Sequence, residues 1–284
     1  MNKSAIFSFL VAAVAATACG NASKHTHAAS PAEPGKISNF DIAMTVKSAS
    51  ASYLCVADTT FGADVPVFST SLVSVQWPER LGDAVPSCLH DSLLSAVFAS
   101  KPASVDAAIA DFVAHPIVNG DYKLQPVDSV PSGNVRELFQ NINCHTLQLS
   151  NDYIVFTVER SDYSGGAHPS YSASFLNYDV RNKNVLDFNE IFLPGNDEAI
   201  LSLVAKYLCI RSHAASLQEL QEQAGIFTDQ LFLTHNVYLT RDNVVFFFNP
   251  YEIAPWAEGP VEVPVPWYEV DQFITANVRA LIYK

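Results

Sequence analysis

The sequence predicts a mixed α+β protein with a mainly antiparallel sheet and helices packed on one face. Hydrophobic residues make up 49% of the 284 residues, which is enough material for a substantial core. Stretches rich in Val, Ile, Phe and Thr and stretches with a helical apolar stripe occur in separate blocks. Segregated blocks of this kind favour an α+β architecture over a doubly wound parallel sheet.

The first half of the chain predicts two strands followed by two helices. Residues 39–58 and 65–79 have the composition of strands. Apolar residues then follow at the spacing of one helix face, and the second helix has the candidate N-cap Ser104. These positions are Leu89, Leu93, Leu94, Val97 and Phe98 in the first helix, and Val105, Ala108, Ile109 and Phe112 in the second.

The second half begins with strands, continues with helices and ends with a hairpin and a further strand. A helix capped by Asn196 follows the strands, and Ser216 with Glu219 resembles a capping box for the next helix, which ends at Gly225. A hairpin is predicted to turn at Asp242 and Asn243. The predicted strands cover residues 138–150, 153–160, 169–180, 237–249 and part of 259–274.

The N-terminus has the features of a secretory signal. A basic start at Lys3 precedes an apolar run, and small residues follow before Cys19. The apolar run is too short to span a membrane as a stable helix. The letters "ATAC" resemble a bacterial lipobox, so we expect lipid attachment at Cys19; ordinary signal cleavage is the alternative. The expected location is the bacterial cell envelope, at the outer membrane and facing either the periplasm or the surface.

Four segments are predicted along the chain. Residues 1–18 form the signal peptide, and the small, polar, Pro-containing residues 19–36 form a linker. Residues 37–150 are predicted to be a small α+β companion domain, and residues 151–284 a C-terminal domain.

The charge of the chain excludes some partners. Cleavage before Cys19 removes only one charge, that of Lys3, so the net charge changes from −13 to −14. Such a protein is not expected to bind nucleic acid through charge, whereas a basic protein would be attracted. We expect no cofactor and no metal, because no cofactor motif is present and the histidines are scattered.

Four cysteines remain after the predicted cleavage: Cys55, Cys88, Cys144 and Cys209. An even number in an oxidising compartment favours disulfides, and pairing within each half of the chain would join Cys55 to Cys88 and Cys144 to Cys209. The alternative is four buried thiols that act as small hydrophobic groups.

Two motifs carry a resemblance to a known family. The stretch "SDYSGGAHPSY" at 161–171 resembles the first signature of the uncharacterised domain found at the C-termini of RsiV-type anti-sigma factors and PdaC-type peptidoglycan deacetylases. The stretch "FFFNPYEIAPWAEGPVEVPVPWYEV" at 246–270 is similar to the second signature. The resemblance implies an extracytoplasmic domain, which in RsiV is a receptor for lysozyme. In those proteins the sigma-binding and deacetylase activities belong to other segments, so the resemblance does not imply either activity here.

The first motif is interpreted mainly as a turn. Gly165 and Gly166 are expected to adopt positive φ, and Pro169 favours an extended conformation at His168. His168 is then a polar residue that closes the loop. A Ser164–His168–Asp162 arrangement is a weaker alternative, because residues so close on one loop seldom face each other.

The second motif offers aromatic and acidic side chains that either form a cluster under a loop or contact a partner. The candidate binding residues from the two motifs are Tyr163, His168, Tyr171, Tyr251, Glu252, Trp256 and Glu258. The sequence therefore favours an envelope binding or sensor module that recognises a lysozyme-like protein. Alternatives are a cell-wall or glycan hydrolase with carboxylates near Glu252, a carbohydrate-binding protein and a structural lipoprotein.

Overall fold

The computed structural model describes residues 42–57, 65–99, 102–120, 122–129 and 134–283. Cys19, the predicted signal peptide and the predicted linker lie outside these residues. The strands are β1 (Ile42–Ala57), β2 (Val67–Leu81), β3 (Tyr122–Pro126), β4 (Arg136–Leu149), β5 (Tyr153–Tyr163), β6 (Ser170–Asp179), β7 (Asn184–Val185), β8 (Val237–Leu239), β9 (Asn243–Phe248) and β10 (Val261–Pro266). The helices are α1 (Ser87–Phe98), α2 (Val105–Ala114), α3 (Phe188–Ile191), α4 (Asp197–Arg211), α5 (Leu217–Ala224), α6 (Trp267–Val270) and α7 (Ala276–Ile282).

The strands form two sheets, and the predicted α+β class is confirmed. The larger sheet has the order β3-β1-β2-β4-β5-β6-β7 and is antiparallel except for the parallel pair β2 and β4. The smaller sheet has the order β10-β9-β8. Because β4 pairs with β5, the larger sheet is continuous across residue 150, the predicted domain boundary. No helix in the described part of the chain is long and apolar enough to cross a membrane.

The two faces of the larger sheet contribute to different cores. Along β5, Tyr153 and Val155 belong to a core shared with α4 and the smaller sheet, whereas Ile154 and Phe156 belong to a core shared with α1 and α2. This division follows from the alternation of side chains along a strand. The helices therefore form two groups, one for each core, and do not all pack on one face as the sequence predicted.

Local sequence signals explain several element ends. The hydroxyl of Ser104 accepts a hydrogen bond from the amide of Ala107, and that of Ser216 accepts one from the amide of Glu219, as expected for N-caps. Gly225 ends α5 with φ +63°. Asn196 occupies the predicted N-cap position of α4, but its side-chain amide donates to the backbone carbonyls of Leu193 and Pro194 and makes no capping hydrogen bond.

Asparagine side chains join the two sheets at β6. The side-chain amide of Asn177 donates to the carbonyl of Val237 at 2.9 Å, and its oxygen accepts from the amide of Leu239 at 3.0 Å. Closer to the start of β6, Ala173 donates its N–H to Asn249 Oδ1 at 2.7 Å, and its carbonyl accepts from Asn236 Nδ2 at 2.8 Å. The short strand β7 does not reach Ala173, since it pairs only with the end of β6.

The predicted disulfides are not formed: all four cysteines are free thiols in the structure. Cys144 and Cys209 pack into the cores on different faces of the larger sheet. Cys55 is buried in a small separate cluster with Val67 and Leu138, while Cys88 is exposed at the start of α1. A disulfide needs Cα atoms within about 7 Å of each other, and residues held in separate cores do not meet this condition.

These thiols should differ strongly in reactivity. Burial raises the pKa of the Cys144 thiol to about 12, which suppresses the reactive thiolate. Under native, mildly alkaline conditions we expect an alkylating reagent to modify the exposed Cys88 first and Cys144 only after unfolding. Peptide mass spectrometry checks the order of modification. Unfolded, unreduced protein should carry four labels on Cys55, Cys88, Cys144 and Cys209, and fewer than four would show that a disulfide exists.

Removing the Asn177 amide should weaken the contact between the sheets. Asn177→Ala leaves the buried amide of Leu239 and carbonyl of Val237 without these partners, at a cost of about 1–3 kcal/mol for each unsatisfied group. We expect a loss of at least about 2 kcal/mol in the free energy of unfolding by urea. The matched control is Asn189→Ala, at an exposed side chain, which should stay within about 0.5 kcal/mol of the wild type. Equal effects of the two substitutions would contradict the assigned role.

Candidate functional site

The first motif forms the loop between β5 and β6. Gly165 and Gly166 have φ values of +107° and +116°, which confirms the predicted positive φ at both positions. The hydroxyl of Tyr163 donates to the carbonyl of Gly166 at 2.9 Å and closes the loop. At its base, the hydroxyl of Ser170 donates to the carboxylate of Asp162.

The second motif forms the loop that follows β9. The carboxylate of Glu252 accepts a hydrogen bond from the amide of Asn249 at 2.7 Å, and the amide of Tyr251 donates to the carbonyl of Ala254 at 3.0 Å. Tyr251 has φ +72°, in the left-handed region that non-glycine residues rarely occupy. The chain then makes a short 3₁₀ turn over Trp256–Glu258.

The two loops meet in one aromatic cluster, formed by His168, Tyr251 and Trp256. The His168 ring is stacked on Trp256 with ring centroids 4.4 Å apart and an angle of 10° between the planes. His168 Nε2 lies 2.9 Å from the hydroxyl of Tyr251, and Nδ1 lies 2.9 Å from the carbonyl of Pro169. A carbonyl can only accept, so Nδ1 donates, and in the neutral ring Nε2 accepts from the tyrosine.

The cluster is open to solvent, because Tyr251 is 58% exposed and the side chains of His168 and Trp256 are partly exposed. Three aromatic rings at the surface, one of them on a strained backbone, form an unusual arrangement. Left-handed backbone at a non-glycine residue costs about 1–3 kcal/mol and is often found at functional sites. The arrangement supplies flat apolar area together with polar groups that can donate and accept hydrogen bonds.

The other predicted site residues have different positions. Glu258 is exposed beside Trp256, whereas Glu252 uses its carboxylate within its own loop. Tyr163 holds the first loop closed. Tyr171 is partly buried, and its hydroxyl donates to Glu159 at 3.2 Å rather than joining the cluster.

The environment of Tyr171 keeps its hydroxyl protonated. Burial raises the pKa of Tyr171, and the charge of Glu159 together with its hydrogen bond raises the pKa further. Tyr238 has the same kind of environment, with burial first and then Glu262 raising its pKa. Both tyrosines therefore act as hydrogen-bond donors within the fold.

The Ser-His-Asp arrangement considered from the sequence lacks the required geometry. Asp162 binds Ser170 and His168 binds Tyr251, so the Ser164–His168–Asp162 arrangement is not formed. Within the described ranges, no group of three or more His, Cys, Asp or Glu side chains has the arrangement of a metal site.

Sequence reasoning missed the residues that bring the loops together. Asn249 starts the second loop and also binds Ala173 in β6, the strand that leaves the first loop. The side chain of Asn119 donates to the carbonyl of Ser164 and supports the first loop from the other side. The position of Asn249, directly after the apolar run of β9, was visible in the sequence. Its partner could not be predicted, because a backbone group leaves no sequence pattern.

The strain at Tyr251 gives a direct test of its conformation. Glycine adopts positive φ without the steric cost that a Cβ atom imposes, which is about 1–2 kcal/mol. Tyr251→Ala and Tyr251→Gly remove the same ring and hydroxyl, so we expect the glycine variant to be more stable than the alanine variant by about 1 kcal/mol. Urea unfolding of the two variants checks this. A more stable alanine variant would contradict the positive φ.

Solved structures of other proteins share this fold. A DUF3298 family protein from Bacteroides fragilis NCTC 9343 superposes with a TM-score of 0.67 at 18% identity, over 86% of this chain and 98% of that chain. A DUF3298 family protein from Pseudomonas aeruginosa PAO1 gives a TM-score of 0.54 at 16% identity, over 83% and 96% of the two chains. At these identities the likeness concerns the fold alone.

Curated relatives match a shorter stretch. The immunogenic proteins MPT64 of Mycobacterium tuberculosis and MPB64 of Mycobacterium bovis are 23% identical over 111 residues, or 39% of this chain. The match spans 47%, about half, of the length of these relatives. Residues 189–268, which contain Tyr251 and Trp256, match the model of the family DUF3298, described as a protein of unknown function.

Proposed function

We propose that this protein is a binding module of the bacterial cell envelope whose aromatic cluster receives a basic secreted protein. The observation that carries the proposal is the meeting of the two loops at His168, Tyr251 and Trp256. Tyrosine and tryptophan are enriched among the residues that dominate binding energy at protein interfaces. Here Tyr251 is exposed and Trp256 is partly exposed, and both contact the His168 ring.

Charge supports a basic partner. The chain has a net charge of −13, and Glu258 lies exposed next to Trp256. A negative surface field accelerates encounters with a cationic protein, and salt slows them because screening acts over about 10 Å at 0.1 M. Trp256 would form the apolar centre of the contact, with Glu258 at its rim.

The choice of a lysozyme as the partner rests on family resemblance. Both loops of the cluster belong to the motifs that resemble those of RsiV-type proteins, in which the extracytoplasmic domain is a lysozyme receptor. The secretory N-terminus and the predicted lipid attachment at Cys19 fit a protein held in the envelope, where a secreted lysozyme would encounter it.

Binding is tested by titration calorimetry at low salt, with a basic lysozyme in one series and muropeptides in the other. We expect lysozyme to bind more tightly than muropeptides, and its affinity to fall as salt is added. Trp256→Ala and Tyr251→Ala should each weaken lysozyme binding at least about tenfold, which corresponds to about 1.4 kcal/mol.

The matched control is Tyr268→Ala, which removes a tyrosine that is 72% exposed and belongs to α6 rather than to the cluster. This variant should bind lysozyme as the wild type does. Clear binding of muropeptides without binding of lysozyme would favour the carbohydrate-binding alternative. Full lysozyme affinity in folded Trp256→Ala protein would exclude the aromatic cluster as the binding surface.

A further inference from the structure

A separate cavity lies on the face of the larger sheet that carries α1 and α2. Its volume is about 460 Å³, within the range of about 300–1,000 Å³ found for small-molecule sites. Apolar and polar side chains both line it. The apolar ones are Val97, Phe98, Ala108, Phe112, Ile117 and Ile142.

Among the described residues that line the cavity, Arg160 is the one with a positive charge. Its Nη2 donates to the carbonyls of Ala96 and Val97, at 2.6 and 2.9 Å, at the end of α1. A guanidinium has five N–H donors, so three donors on Nε and Nη1 remain. Across the described ranges, these three have neither a hydrogen-bond acceptor nor a carboxylate within ion-pairing distance.

The Arg160 charge is only partly compensated. Burial lowers the pKa of Arg160, yet a guanidinium stays protonated in proteins, so the site keeps a partly buried positive charge. The carbonyl end of a helix supplies about half a negative charge in compensation. A negatively charged acceptor in the cavity would compensate the rest of the Arg160 charge and accept hydrogen bonds from Nε and Nη1.

The other polar residues limit the charge of a ligand. Asp111 and Asp162 also line the cavity, and they would repel a ligand with several negative charges. Asp162 already accepts a hydrogen bond from Ser170, which fixes that part of the wall. A single carboxylate attached to a hydrocarbon group therefore matches the one guanidinium and the apolar side chains of the lining.

We propose that this cavity binds a small amphipathic monocarboxylate. The carboxylate accepts hydrogen bonds from the free donors of Arg160, and the hydrocarbon part lies against the apolar side chains of α1 and α2. None of the three cluster residues is among the described side chains that line this cavity, and ligand binding here does not require the function proposed for the cluster.

Titration calorimetry with three eight-carbon probes tests the proposal: octanoate, 1-octanol and octylammonium. Their hydrocarbon chains are the same and their head groups differ in charge, so the comparison isolates the effect of Arg160. We expect wild-type protein to bind octanoate saturably and at least tenfold more tightly than either other probe. Arg160→Gln should remove this preference. Arg211→Gln, which removes an exposed charge from α4, is the matched control and should keep it.

A second variant makes the test independent of the folding of Arg160→Gln, since Arg160 also holds the end of α1. Phe112→Ala removes part of the apolar wall and should weaken octanoate and 1-octanol binding by similar factors of at least three. Absence of saturable octanoate binding to the wild type, or equal binding of octanoate and octylammonium, would overturn the proposal. Unchanged octanoate affinity in folded Phe112→Ala protein would also overturn it.

Discussion

The rest of the structure depends on how the exposed edge of β6 is completed. An edge strand presents unpaired N–H and C=O groups, and β7 is too short to pair with the first half of β6. Asparagine side chains next to the strands of the smaller sheet pair with these groups instead, because a side-chain amide offers the same donor and acceptor as a peptide group. Asn249 accepts a hydrogen bond from the N–H of Ala173, and Asn236 donates one to its carbonyl. Asn177, which belongs to β6 itself, donates to the carbonyl of Val237 in β8.

This junction also explains the position of the candidate site. Asn249 is the first residue of the second loop, and Ala173 lies three residues after the strand β6 begins at the end of the first loop. A hydrogen bond between them therefore brings the bases of both loops together. His168 and Tyr251, which are 83 residues apart in sequence, then come within hydrogen-bond distance. The surface that we propose to bind a partner is thus a consequence of how two sheets are joined.

Signals that act over a few residues were readable from the sequence, whereas contacts between distant segments were not. The Ser104 and Ser216 caps and the positive φ values in the first loop depend on neighbours in sequence, and the structure confirms them. The parallel pairing of β2 with β4 and the stack of His168 on Trp256 depend on tertiary packing, which leaves no local pattern. The disulfide prediction was wrong for the same reason: an even cysteine count says nothing about the cores into which the thiols fold.

The central claim is that both loops form one binding surface. The most direct measurement is a nuclear magnetic resonance titration of the labelled protein with a basic lysozyme at low salt, followed at the His168 ring, the Trp256 indole and the Tyr251 backbone. The account predicts that these three signals shift together with a single affinity, while the Tyr268 backbone signal does not shift. Lysozyme-dependent shifts that leave His168 and Trp256 unaffected would contradict it.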